Sequence, residues 1–80
     1  MNPLIANIDN LHTTKLGAER VRRNLRLDAD DVVTWCKQQI QAPNCSALRK
    51  GKNWYAYIND CIITINAHSY TIITAHKIKR

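Results

Sequence analysis

Three histidines carry the side chains of this 80-residue chain whose charge changes near neutrality: His12, His68 and His76. Beside them stand the cations Arg49, Lys50, Lys52 and Lys77, the phenols Tyr55, Tyr57 and Tyr70, and the amide of Asn66. A histidine can pass a proton, a cation can hold a phosphate, and a tyrosine ring can stack on a base. Those types together describe a surface for nucleic acid, with or without cleavage of it. The Arg49-Lys50-Gly51-Lys52 loop adjoins the aromatic run Asn53-Trp54-Tyr55-Ala56-Tyr57-Ile58, so cations could hold phosphates while Tyr55, Tyr57 and Tyr70 stack on exposed bases. The same residues also fit a solvated turn beside ordinary cross-strand aromatic pairs. His68 and His76 lie at opposite ends of one extended run, roughly 20 Å apart, and need not act as a pair.

The elements that must position these groups are legible in the last third of the chain. Asn53 to Ile58, Cys61 to Asn66 and Tyr70 to His76 are β-branched and aromatic runs separated by Asn59-Asp60 and Ala67-His68-Ser69. They read as an antiparallel meander. A two-residue turn at Asn59-Asp60 and a three-residue loop at Ala67-His68-Ser69 pair Ile65 with Thr71 and Ile63 with Ile73. Trp54, Ala56, Ile58, Cys61, Ile63, Ile65, Thr71, Ile73 and Ala75 then form the core face. Tyr55, Tyr57, Ile62, Thr64, Asn66, Tyr70, Ile72, Thr74 and His76 form the other.

Ahead of the meander the periodicity is helical. Thr13 or Thr14 can cap a helix with Leu16, Val21 and Leu25 on its apolar side and Lys15, Arg22 and Arg26 opposite. Asp28 can cap a second, in which Val32, Val33, Trp35, Cys36 and Ile40 supply the buried side. The expected fold class is α+β: two N-terminal helices packed on one face of a three- or four-stranded antiparallel meander. A single domain covers 1–80, with helices over 14–26 and 28–41 and strands over 45–50, 53–58, 61–66 and 70–76.

Composition narrows the classes. Twelve Lys and Arg against six Asp and Glu give a net charge of +6, which favours an anionic partner, nucleic acid first and RNA among them. Lys77, Lys79 and Arg80 add a basic tail to the two inner clusters. A chain this short buries only about 60% of its unfolded surface, so homodimerisation would be a natural supplement. Cys36, Cys45 and Cys61 are odd in number and lack a paired spacing, which argues against a secreted disulfide framework and makes the cytoplasm the default expectation. No run has the roughly 18 apolar residues of a membrane span, and the first nine residues lack the basic start of a leader.

Other chemistries find no motif. Gly17 and Gly51 are the only glycines, so no phosphate-cradling loop exists, and the carboxylates at Asp28, Asp30 and Asp31 suit helix capping. The histidines and cysteines have no zinc-ligand spacing. Neither metal nor cofactor is called for.

Two resemblances extend this reading. Leu11 to Arg20, Asp31 to Cys36, Gly51 to Tyr55 and Asn66 to Lys77 resemble a family of small bacterial and phage proteins classed as a domain of unknown function, over nearly the whole chain. That likeness implies a bacterial domain and no particular activity. The element order, with basic residues near one edge and Thr74-Ala75-His76 on the last strand, is similar to the RelE-like and colicin-like ribonuclease toxins. This second likeness implies metal-independent RNA cleavage, with a base on the 2′-hydroxyl, cations on the charged phosphorane and an acid at the leaving oxygen. It would make His76 the base or acid, Lys50 and Lys52 the phosphate clamps, and Tyr70, Asn66 and Thr74 positioning groups. His68 or His12 would supply the second proton-transfer group. Two functions are therefore expected to compete: a nucleic-acid-engaging protein that is a ribonuclease or a plain binder, and a protein-interaction module or homodimeric accessory protein.

Overall fold

A computed structural model describes residues 2–78 of the chain. Its centre is a five-stranded mixed sheet with helices on one side. The order along the chain is α1 (Pro3–Ala6), a 3-10 turn (Ile8–Asn10), β1 (His12–Thr13), α2 (Lys15–Leu25), α3 (Val32–Ile40), β2 (Ser46–Lys50), β3 (Asn53–Ile58), β4 (Cys61–Asn66) and β5 (Thr71–Lys77). Across the sheet the order is β1-β5-β4-β3-β2. β2 to β5 form the expected antiparallel meander, and β1 adds a short parallel edge beside β5.

The N-terminal segment is therefore structural, which the expected two-helix plan omits. Asn2 caps α1 through its side chain, Pro3 takes the first helical position, and Leu4, Ile8 and Leu11 are buried. The four-residue helix is too short for periodicity to reveal. His12 N–H then bonds Tyr70 O at 3.1 Å, which delivers the segment to the sheet edge.

α2 begins at the Thr14 cap, whose hydroxyl accepts the Gly17 N–H at 3.0 Å. Gly17, Val21 and Leu25 face the sheet, whereas Leu16 is 55% exposed, contrary to its expected place on the apolar side. Gly17 is buried because α2 crosses β5 at close range. A Cβ there would meet Thr13 Oγ1, and would stand 3.0 Å from Ile72 O. Arg26 ends the helix in the left-handed region, at φ 51°. α3 is capped by Asp31, three residues later than the expected Asp28, because Asp31 alone reaches the Thr34 N–H, at 3.1 Å. The intervening loop is held by Arg22, which donates to Ala29 O and Asp30 O at 3.1 and 2.8 Å.

The β3–β4 turn is as expected: Asn59 and Asp60 have φ of 48° and 63°, the two positive values a twisted two-residue hairpin requires. The β4–β5 connection corrects the expected register. Tyr70 joins the loop with φ 58°, and Ile65 pairs with Ile72 rather than Thr71. Ile63 pairs with Ala75, and Ile73 is the extra residue of a bulge between the Thr64 and Ile65 pairings. One inserted residue reverses which side chains face inward. Ile72, expected on the outer face, is fully buried, while Ile73 and Thr71, expected in the core, are half-buried.

The core lies between the helices and one sheet face. Val21, Leu25, Val32, Cys36 and Ile40 meet Trp54, Ala56, Ile58, Ile63, Ile65, Ile72 and Ala75. Full burial of such a side chain is worth about 1.5–3 kcal/mol. No helix among the described residues is long and apolar enough to cross a membrane.

Candidate nucleic-acid interface

Among the described residues no helix packs on the other sheet face, and its composition follows from the strand register. Directly paired residues share a face, so Ser46, Leu48 and Lys50 of β2 stand with Tyr57, Tyr55 and Asn53 of β3. Ile62, Thr64 and Asn66 continue the surface on β4, and Thr74 and His76 on β5. Beyond the bulge the inversion brings Thr71 onto this face, with His12 beside it on β1.

A depression of about 420 Å³ opens at the β2 side, lined by Leu48, Lys50, Gly51, Tyr55 and Tyr57. Leu48 is 55% and Tyr57 38% exposed, two of the large hydrophobic side chains the fold leaves open to solvent, side by side on this face. Lys50 and Lys52 are exposed on either side of Gly51, whose φ of 61° makes the tight β2–β3 turn. Tyr55 OH accepts from Asn53 Nδ2 at 3.4 Å, which orients the ring. Thr64, between Tyr55 and Thr74, is buried by its neighbours. The site is thus two phenol rings and an exposed leucine beside lysine, on the antiparallel β2–β3 pair at the sheet edge.

The expected site residues divide by position. Lys50, Tyr55 and Tyr57 converge on the depression, and Lys52 is exposed in the turn that follows Gly51. Arg49 pairs with Trp54 and so has the helix-side parity, and its Nε donates to Gly51 O at 3.0 Å. Lys77, paired with Cys61, likewise has the helix-side parity at the far end. Asn66 has the open-face parity, but its Oδ1 accepts the N–H groups of both His68 and Ser69 at 2.9 Å and shapes the loop. Lys79 and Arg80 of the tail cluster lie outside the described residues.

The proton-transfer candidates separate as well. His76 pairs with Ile62, which pairs with Tyr57, whereas Lys50 lies four residues along from that row. Three strand spacings and four residues put His76 and Lys50 about 20 Å apart. His68 lies exposed in the loop at the other end, beside the β2–β3 turn, where Ala67 N–H bonds Lys52 O at 2.8 Å. Tyr70 packs against the core in its left-handed conformation, which for a non-glycine residue costs about 1–3 kcal/mol. His76 and the lysines named as phosphate clamps do not form one centre.

One arrangement was not legible in the sequence. His12 Nδ1 lies 2.9 Å from Asn10 O and its Nε2 lies 3.0 Å from Thr71 Oγ1, which lies 2.8 Å from Ser69 Oγ. The partners come from residues 59 positions apart, joined only by the parallel β1–β5 pairing.

A family model described as "Protein of unknown function (DUF3781)" matches residues 5–76. The chain belongs to this family. The DUF3781 match runs from Ile5 in α1 to His76 in β5, so the N-terminal segment belongs to the shared unit along with the meander. No curated protein and no solved structure matches the chain, so the likeness to ribonuclease toxins gains no support from a relative.

The thiols are set apart from this surface. Cys36, Cys45 and Cys61 are all free. Burial pushes the Cys36 thiol up to about 12, and burial also raises that of Cys45. A thiol so shifted is a poor nucleophile at neutral pH.

Proposed function

We propose that this DUF3781 protein binds single-stranded nucleic acid, RNA foremost, on the open sheet face. The observation that carries the reading is the depression in which Tyr55, Tyr57 and Leu48 adjoin Lys50. A tyrosine ring on a sheet stacks on an unpaired base, every base has a face to stack on, and the neighbouring ammonium groups hold the phosphates between bases. The net charge of +6 supplies long-range attraction to a polyanion. Binding rather than cleavage is proposed for this surface because His76 stands about 20 Å from Lys50.

The test is fluorescence anisotropy with a labelled single-stranded RNA. Tyr57→Ala is expected to weaken binding about 5- to 150-fold, the equivalent of one lost stacking contact. Lys50→Ala is expected to reduce the slope of log K against log salt by about 0.7. Binding that neither substitution alters would refute the assignment to this face, and equal affinity for duplex would refute the stacking mode.

A further inference from the structure

The hydroxyl and imidazole groups at the β1–β5 edge have an order that the strand pairing alone does not require. Asn10 O can only accept, so the 2.9 Å contact assigns the proton to His12 Nδ1. In the neutral ring Nε2 is then a bare lone pair. Thr71 Oγ1, 3.0 Å away, donates to it, and Ser69 Oγ, 2.8 Å further, donates to Thr71 Oγ1. A hydroxyl bonded to a base that a third group orients is the arrangement of an activated nucleophile. The chain of contacts depends on Tyr70. Its φ of 58° folds the backbone so that Ser69 and Thr71, two residues apart, place their hydroxyls together. Tyr70 is fixed from both sides, its N–H on Asn66 O at 2.9 Å and its O on His12 N–H at 3.1 Å. A non-glycine residue held in the left-handed region beside aligned polar groups is the kind of strain that marks functional sites.

We propose that Thr71 is the nucleophile of a hydrolytic site for carboxylic esters, with His12 as its general base. Asn10 O and Ser69 are positioning groups. Thr71 Oγ1 attacks the carbonyl carbon while its proton passes to His12 Nε2. The C–O bond to the alcohol then breaks, and the departing oxygen takes the Nε2 proton. Water next attacks the acyl-threonine, gives a proton to Nε2 and releases the acid as that proton returns to Thr71 Oγ1. One ester and one water become one acid and one alcohol. On the same open face, Thr71 lies about 14 Å and His12 about 19 Å from Lys50, three and four strand spacings across the sheet, and so apart from the depression.

The test uses the full chain and p-nitrophenyl acetate, with release of p-nitrophenolate followed by absorbance and the acyl position read by peptide mass spectrometry. Acetylation confined to Thr71 is expected, with the rate falling about 100-fold or more in Thr71→Val and in His12→Ala. Thr71→Ser, which keeps the hydroxyl, is expected to keep turnover. Ser69→Ala is expected to slow the reaction by a smaller factor. Thr71→Val preserves shape, so an unchanged far-UV spectrum separates lost chemistry from lost fold. Acetylation of lysines or of Ser69 with Thr71 unmodified would overturn the proposal, as would an unchanged rate in Thr71→Val.

Discussion

Gly17→Ala sets two effects of opposite sign against each other. On helix propensity alone the substitution stabilises α2 by up to about 1 kcal/mol. The structure predicts the reverse. The new Cβ would collide with Thr13 Oγ1, stand 3.0 Å from Ile72 O and lie 3.3 Å from Thr14 Oγ1. Relieving it displaces the Thr13 hydroxyl from Ile72 O, a 2.9 Å bond worth about 1 kcal/mol, and disturbs the Thr14 cap, worth about 1 kcal/mol more. Ile72 O is backbone and cannot turn aside, so α2 must also move off β5 at an overpacking penalty of about 1–3 kcal/mol. The net expectation is a loss of roughly 2–4 kcal/mol, which lowers the melting temperature of a domain this size by roughly 10–30 °C. Urea and thermal unfolding followed by circular dichroism measure it. A variant as stable as the parent or more so would refute the close crossing of α2 over β5.

Three further outcomes follow from the packing and the caps. Ile72→Ala should destabilise by about 2–5 kcal/mol in urea unfolding and Ile73→Ala by clearly less, since the bulge buries the first fully and the second only in part. The Thr34 N–H and hydroxyl hold the Asp31 carboxyl below its ordinary range. A depressed carboxyl contributes stability above its unfolded value, near 4, that is lost as pH falls through the folded one. Stability should therefore decline below about pH 4 in the parent, and that increment should be missing from the acid limb of Asp31→Asn. Cys36, fully buried with its thiol pushed up to about 12, should resist iodoacetamide at pH 8 until the chain unfolds, whereas half-buried Cys61 reacts in the native state, as peptide mass spectrometry would show.

Local rules carried much of the fold. The β3–β4 hairpin was legible because Asn59 and Asp60 tolerate positive φ, and the α3 core positions because Val32, Cys36 and Ile40 recur at helical spacing. The β5 inversion was not. Tyr70 in the left-handed region and Ile73 in a bulge are tertiary choices that a β-branched run conceals, and they exchange Ile72 for Thr71 in the core. The signal of α1 was present in Asn2-Pro3, a cap followed by proline, but a single helical turn has no periodicity to support it. For the site, adjacency sufficed to bring Lys50 beside Tyr55 and Tyr57. It misled for Arg49, because side chains alternate between faces and Arg49 follows Trp54 to the helix side. The His12–Thr71–Ser69 arrangement depends on a parallel pairing across 59 residues, and such pairings leave no local trace.

The most direct test of the central claim is an amide chemical-shift titration of the labelled chain with a short single-stranded RNA. Binding on the open sheet face predicts shifts that cluster on Leu48, Lys50, Gly51, Tyr55 and Tyr57 and fade as salt rises. Shifts confined to the helices α2 and α3, or none at RNA concentrations that saturate other basic domains of this size, would contradict it.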